Sequence, residues 1–248
     1  MVKIKFKTIE STHKYAIELI NKNKAMECII IADEQTGGVG RGNRSWNSIK
    51  GNLFASILLD ISKTDFQNLA HLSMLTSCAV WDVISSYLKK SDNLTLHWPN
   101  DVYYNNKKIS GILLAKIDNW VVISFGLNIK SVPNLDTAIS MSELQELKLL
   151  NNFLPTPQEM LECFWEKFKK RTSDFKKLGF SCIKEHWLRN IKGIDEIITL
   201  RNGNECLMGV FKGIDDFGRI ILEKDGKFLY ISTGDMFLDP ERILNKNE

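Results

Sequence analysis

Four segments of the chain carry residue types and spacings able to do chemistry. The first runs Gln35-Thr36-Gly37-Gly38-Val39-Gly40-Arg41-Gly42-Asn43-Arg44-Ser45-Trp46. Its glycines leave backbone N–H groups unobstructed, and successive N–H groups can cradle an anion. Its arginines bring forked planar donors matched to phosphate or carboxylate, and Trp46 brings an apolar surface for stacking. The run lacks the Gly-Lys-Ser/Thr of a P-loop, and a strand rather than a helix follows it, unlike a dinucleotide-binding turn. Composition alone fits a surface loop equally well. The second segment is Trp98-Pro99-Asn100-Asp101, continued by Lys107-Lys108-Ile109-Ser110-Gly111-Ile112-Leu113. Turn chemistry accounts for Pro-Asn-Asp, yet Asp101 also suits a metal or hydroxyl partner. Lys108 opens an apolar strand, a position from which a half-buried ammonium can stabilise charge developing in a phosphoryl or acyl transition state. Lys107 reads as its solvated neighbour. The third segment is Ser124-Phe125-Gly126-Leu127-Asn128, a strand end suited to close approach of a ligand. The fourth is Ser11-Thr12, which helix capping also explains.

Strands and helices must alternate to position these segments. Polar and apolar residues alternate over Val2–Phe6, and Cys28–Ala32 and Leu53–Leu59 are apolar strand-like runs. Helical spacing runs from Leu69 to Tyr87. Strands are expected at Leu94–Trp98 and Trp120–Ile129, with a hairpin of Val102–Tyr104 and Ile109–Leu114 between them. Thr156-Pro157-Gln158-Glu159 has the capping-box order for a helix start, and a second helix is expected over Ile183–Arg189. Residues 33–50 break the pattern, and a loop that long is expected to be functional. Within it Thr36 to Lys50, with its glycines and with Arg41 and Arg44 repelling each other unless an anion lies between them, is expected to order only when a ligand binds. After Gly193, short strands separated by Asn202-Gly203 and Asp225-Gly226 predict a small all-β unit of four or five strands, too small to stand alone and so docked on the rest.

The 248 residues, 44% hydrophobic and 25% charged, bound a globular protein with a sizeable core. A net charge of +3 argues against a nucleic-acid surface, and the basic run from Lys167 to Lys177 reads as a solvated helix face. Cys28, Cys78, Cys163, Cys182 and Cys206 form no CxxC pair, so neither a disulfide framework nor a zinc site is expected. No apolar run reaches the roughly 20 residues of a membrane span, and a cytoplasmic location is the expectation.

In order and spacing the four segments resemble the biotin–protein ligases. Ser11-Thr12-His13 matches the family's Ser-Thr-Asn, Gln35–Trp46 its glycine/arginine loop, and His97–Asp101 with Lys108–Leu113 its Lys-Trp-Pro-Asn-Asp and Lys-x-x-Gly-Ile-Leu. Gly126 and Asn128 match its Gly-x-Asn, and Gly213–Gly218 with Leu222-Glu223 match its C-terminal unit. The resemblance implies an α+β fold: a mixed, largely antiparallel sheet with flanking helices, like the class II aminoacyl-tRNA synthetases, over residues 1–192. A small SH3-like β-barrel would occupy 193–248. It implies activation of biotin by ATP with Mg²⁺ to biotinyl-5′-AMP, then transfer to a lysine of a biotin carboxyl carrier protein. Catalytic roles fall to Lys108, Arg41 and Asp101. Biotin contacts fall to Ser11, Thr12, Gln35, Gly38, Gly40, Arg41, Lys108 and Gly111, and adenylate contacts to Arg41, Arg44, Trp46, Asn128 and Lys108. The partners are biotin, ATP and the carrier, without DNA or membrane, as monomer or homodimer. Ser11-Thr12 stands too near the first residue for the roughly 60 residues of a helix-turn-helix reader, so the short, non-repressor form is expected.

The chain departs from the family pattern at His13 (usually Asn), Val39, Gly42-Asn43, His97 (usually Lys), Ser124 (usually Gly) and Ala115. The rival readings are a lipoate ligase of the same catalytic fold and a non-catalytic binding module. The Trp-Pro-Asn-Asp segment favours biotin over the first. Retained Arg41 and Lys108 argue against the second.

Overall fold

The alternating N-terminal segment forms β1 (Val2–Ile9), which runs parallel to β2 (Cys28–Gln35) with Ile4 opposite Ile30. Between them lies α1 (Thr12–Asn21), the crossover that a parallel pair requires. In this computed structural model, which describes residues 1–238 except 65, 67, 135, 152 and 204, every other pairing between strands of the large sheet is antiparallel. The remaining large-sheet strands are β3 (Leu53–Asp60), β4 (Leu94–His97), β5 (Asp101–Tyr104), β6 (Lys107–Ile117) and β7 (Trp120–Leu127). The seven stand in the order β1-β2-β3-β7-β6-β5-β4.

Side chains alternate across a strand, so this sheet has two distinct faces. One carries Leu53, Ala55, Ile57, Ile123 and Phe125 into the main core, beneath α2 (Leu69–Tyr87), α4 (Pro157–Leu178) and α5 (Ser181–Asn190). The other carries Leu58, Val122, Cys28 and Ile30, packed with Ala16 and Ile20 of α1. Phe54, Ser56, Ser124 and Gly126 share that second face beyond the apolar α1 cluster, where the start of α1 and Trp46 cover the sheet instead.

The helix starts follow their sequence signals. Thr156 and Glu159 form the expected reciprocal cap with Pro157 first in the helix. An unforeseen α3 (Met141–Glu146) is capped the same way by Ser140 and Glu143, so the signal was present in Ser-x-x-Glu. The basic run on α4 is not wholly solvated. Arg171 turns inward and donates twice to Asp82, at 2.7 Å each, and once to His186. Burial and the adjacent guanidinium lower the His186 pKa to about 4. Of the cysteines, Cys28 and Cys78 are buried, Cys163 and Cys182 half-buried, and Cys206 exposed. Among the described residues no helix is long and apolar enough to cross a membrane.

A second, five-stranded antiparallel sheet follows: β8 (Ile197–Asn202), β9 (Glu205–Ile214), β10 (Ile220–Lys224), β11 (Lys227–Ile231) and β12 (Asp235–Phe237), in the order β11-β10-β9-β8-β12. As expected of so small a unit, it is docked. Trp98, among the largest fully buried side chains, donates its indole N–H to the Gly218 carbonyl at 3.0 Å. His97 Nε2 lies 2.6 Å from the Met236 carbonyl, so that nitrogen bears the proton. The Trp98–Pro99 peptide is cis.

Docking through Trp98 can be measured. Trp98→Ala removes a fully buried indole and is expected to cost about 3–5 kcal/mol. Trp98→Phe, which orphans the Gly218 carbonyl but keeps a ring, is expected to cost about 1–3 kcal/mol. Denaturant midpoints of the two variants check this, and a loss below about 1 kcal/mol for the alanine variant would place the docking elsewhere.

Candidate functional site

A cavity of about 260 Å³ opens on the α1 side of the large sheet. Its floor is a row across four strands, with Phe54 opposite Gly126, Gly126 opposite Gly111, and Gly111 opposite Asp101. The two glycines leave the centre of that row without side chains, and the Trp46 indole lies over both. A Cβ on Gly126 would stand 2.4 Å from the indole, and one on Gly111 3.0 Å from it and 2.9 Å from the Lys108 side chain. The indole Nε1 is buried and has no partner.

At one end of the floor, Lys108 Nζ lies 2.5 Å from Asp101 Oδ2 and 5.4 Å from the Trp46 ring centroid. Both ionic groups are half-buried, and Asp101 Oδ1 is buried without a partner. The backbone around them is tightly held. Lys108 N–H donates to Thr137 O, Lys108 O accepts from Ile139 N–H, and Ile112 N–H donates to Asn100 O. The Asn100 side chain returns a bond to the Ile112 carbonyl. The Pro-Asn-Asp turn therefore fixes β6, and with it the start of the lysine side chain.

At the other end the wall is polar and uncharged. Ser11 accepts from Lys14 N–H as the cap of α1, and both Ser11 and Thr12 also line the cavity. Thr12 N–H and its hydroxyl both donate to Gln35 Oε1, at 2.8 and 3.1 Å. Gln35 Nε2 donates to Ser48 Oγ at 2.8 Å. His13 lies beside them, and burial lowers its pKa to about 4, so the ring is neutral at physiological pH.

The glycine/arginine loop forms the side wall. Val39 bridges to Ser45, Gly40 N–H donates to Arg44 O at 2.7 Å, and Trp46 N–H donates to Gly38 O at 2.9 Å. An anion does lie between Arg41 and Arg44, but the protein supplies it. Asp235 of β12 accepts from Arg41 Nη2 at 3.0 Å and from both Arg44 Nη atoms at 3.1 Å, while Arg41 Nη2 also donates to the Gly234 carbonyl. Arg44 Nε is used on the Arg41 carbonyl, so each of the three guanidinium nitrogens of Arg44 is engaged. Asn52 ties down the end of the loop, its Oδ1 accepting from the backbone N–H groups of Ile129, Lys130 and Ser131.

Of the residues singled out in the sequence, Ser11, Thr12, Gln35, Gly40, Arg41, Arg44, Trp46, Asp101, Lys108 and Gly111 converge on this one cavity. Two do not reach its wall. Gly38 is packed beneath the loop, where a Cβ would meet Ser48 Oγ at 2.5 Å and the Trp46 carbonyl at 2.6 Å. The Asn128 amide is spent on the Lys108 and Ile139 carbonyls, so it holds the lysine strand from behind. Sequence reasoning missed Asp235, Asn52, Ser48 and Ser56.

Residues 5–129 match the model of the "Biotin/lipoate A/B protein ligase family", and residues 193–239 that of the "Biotin protein ligase C terminal domain". The chain belongs to the biotin/lipoate A/B protein ligase family. Within it, the C-terminal match and the named relatives place the chain among the biotin protein ligases. It is 32% identical over 241 residues to the bifunctional ligase/repressor BirA of Bacillus subtilis, covering 93% of this chain and 72% of that protein. Identity is 27% to the biotin–[acetyl-CoA-carboxylase] ligase of Paracoccus denitrificans, covering 84% and 89% of the two chains. Its fold is that of the biotin protein ligase from Aquifex aeolicus solved with biotin and ATP, at TM-score 0.81 and 24% identity, over 95% of this chain and 97% of that one.

The ligase's loop is held from the small sheet through one carboxylate. Asp235→Asn is expected to leave Arg41 and Arg44 repelling each other, and to lower hydrogen-exchange protection of the Gly40 and Trp46 amides about tenfold. That is the scale of a charged hydrogen bond discounted for partial exposure. Unchanged protection would show that the loop holds itself.

Proposed function

We propose that this cavity joins biotin to the adenylyl group of ATP and then delivers biotin to one lysine of a biotin carboxyl carrier protein. The observation that carries the proposal is the polarity of the cavity. It has an uncharged hydrogen-bonding end at Ser11, Thr12 and Gln35, a floor without side chains at Gly111 and Gly126, and Arg41 and Lys108 beyond. A ureido ring suits the first, an apolar tail packed on the Trp46 indole that covers those glycines the second, and a carboxylate beside a phosphate the third. A lipoyl head has no N–H or carbonyl to bond to this polar end, whereas a ureido ring has both, which favours biotin.

In the first step a biotin carboxylate oxygen attacks the α-phosphorus and the bond to pyrophosphate breaks. Negative charge builds on the phosphoryl oxygens, within reach of Lys108 and of the Arg41 guanidinium, whose Nε and Nη1 are not engaged by Asp235. In the second step the neutral amine of the carrier lysine attacks the acyl carbon of biotinyl-5′-AMP, and AMP leaves. Asp101 lies beside Lys108, where it orients the ammonium. Mg²⁺ bound to the triphosphate would supply charge neutralisation. Asp101 is the cavity's one carboxylate among the described residues, and its unpartnered oxygen fits such an ion, which usually takes one or two protein carboxylates plus phosphate. Gly40 and Gly111 give close backbone approach to biotin, and Trp46 stacks on the adenylate. We assign Arg44 to holding the loop, Gly38 to packing under it, and Asn128 to supporting Lys108. Residues 1–192 would form the catalytic unit and 193–248 the small β unit, whose residues 239–248 lie outside the described ones.

Incubation with ATP, Mg²⁺, biotin and a carrier domain should add one biotin to one lysine, read by mass spectrometry. Labelling by lipoate and not biotin would overturn the reading. Lys108→Met should lower kcat by about 100-fold or more, the scale of losing one charge-stabilising donor. Lys107→Met, outside the cavity wall, should change it little. Comparable losses would show that the wrong lysine is assigned.

A further inference from the structure

Two departures from the family pattern touch each other. His13, where Asn is usual, and Ser124, where Gly is usual, meet as Nδ1 and Oγ at 2.7 Å, both buried. The contact ends a chain of hydroxyls whose proton directions can be worked out from one fixed point. The Thr12 backbone N–H can only donate, so the Gln35 atom 2.8 Å from it is the carbonyl oxygen. The amide nitrogen then donates to Ser48 Oγ, and the Ser48 hydroxyl in turn donates to the Trp46 carbonyl. An amide oxygen only accepts, so the Thr12 hydroxyl donates to it. Thr12 has then spent its proton, and Ser56 donates to Thr12 at 2.8 Å. Ser56 has spent its own, so Ser124 donates to Ser56 at 2.7 Å. Ser124 is left as an acceptor, and its partner must be an N–H on His13 Nδ1.

We infer that His13 is a specificity-determining residue of this ligase: its Nε2, opposite the edge tied to Ser124, is a hydrogen-bond acceptor for an N–H on the ligand head. The ring lines the cavity beside Thr12 and Gln35, and its Nδ1 edge is committed to the wall. Burial keeps the ring uncharged, so the second nitrogen retains its lone pair. Thr12 and Gln35 are meanwhile occupied with each other. The acceptor selects a head that carries an N–H, and a head lacking it would bury the nitrogen unpaired. The inference rests on the reading above that the head of biotin occupies this end. It adds that one ureido N–H is read by a side chain that most of the family pattern lacks, and that Ser124 fixes its tautomer.

The full-length chain, labelled with ¹⁵N-histidine, gives the first test. Two-bond ¹H–¹⁵N spectra near neutral pH, with His13→Asn assigning the signal, should show the proton on Nδ1 and an unprotonated Nε2 that shifts when biotin is added. A proton on Nε2, or bound biotin with no shift, overturns the inference while leaving the ligase reading intact. No biotin binding at all overturns both. The second test is kinetic. His13→Leu should raise the KM for biotin about tenfold with the KM for ATP unchanged, and His13→Asn, which restores an acceptor, should recover most of the loss. Of two biotin analogues each methylated on one ureido nitrogen, one should be about tenfold poorer than biotin with the native chain and no poorer with His13→Leu. Equal penalties in both proteins overturn the inference.

Discussion

Two glycines facing each other across the middle of a sheet set the terms for everything around them. Gly111 and Gly126 are register partners on β6 and β7, and neither bears a side chain where the Trp46 indole comes down. A methyl at either position would meet that ring or the Lys108 side chain. The bare patch lets a loop residue from between β2 and β3 reach the sheet, and the loop can then wall off a cavity. On either side of the patch Ile112, Ile123 and Phe125 pack into the main core and Val122 into the α1 cluster. The site is the place where the sheet gives up packing.

What the floor gives up, the polar ends of the cavity restore as order. Lys108 is placed through its backbone by the 137–139 segment, by Asn128 and by the Pro-Asn-Asp turn, so its ammonium starts from a fixed strand rather than from a free hairpin. The loop is fixed at its far end by Asn52 and at its crown by Asp235. Inside, a line of hydroxyls joins His13 to Gln35 without a charge among them. An uncharged and fully bonded network of this kind resists rearrangement, because moving one member orphans its neighbour in a setting where an orphan is costly. The charged groups lie elsewhere, Lys108 and Asp101 at the opposite end and Arg41 and Arg44 in the side wall, so one cavity holds two electrostatic regimes.

Much of this was legible in the residues, because the relevant signals are local. Alternation marks β1, the 3.6-residue spacing marks α2, and Thr-Pro-x-Glu marks α4. The four chemical segments do converge. What was not legible depends on long-range placement. Asp235 sits in a three-residue strand after Gly234, and nothing nearby announces that its carboxylate meets Arg44, far away in the chain. Asn128 looks like a ligand-facing amide by position, but its amide faces two carbonyls. Arg171 falls in a run of basic residues and reads as solvated until Asp82, from another helix, is beside it. Ser56 did leave a trace. It is the one hydroxyl in the apolar run of β3, on the same face as Phe54, and the residue opposite it is Ser124.

The docking of the small sheet has a consequence for how such proteins can be recombined. Trp98 is read as part of a chemical signature, yet its indole N–H is bonded to the backbone of the C-terminal unit, at a glycine with φ +81° whose missing Cβ leaves room for α2. His97 bonds the same unit at Met236, and Arg41 and Arg44 bond it at Asp235. A C-terminal unit transplanted from a relative would have to bring a glycine, a carbonyl and a carboxylate to the same three places, or the loop and the turn would lose their anchors together. The two parts are thus not interchangeable modules joined by a linker. They are two halves of one wall, and grafting across residue 193 would test sequence compatibility far more stringently than the similarity of the folds suggests.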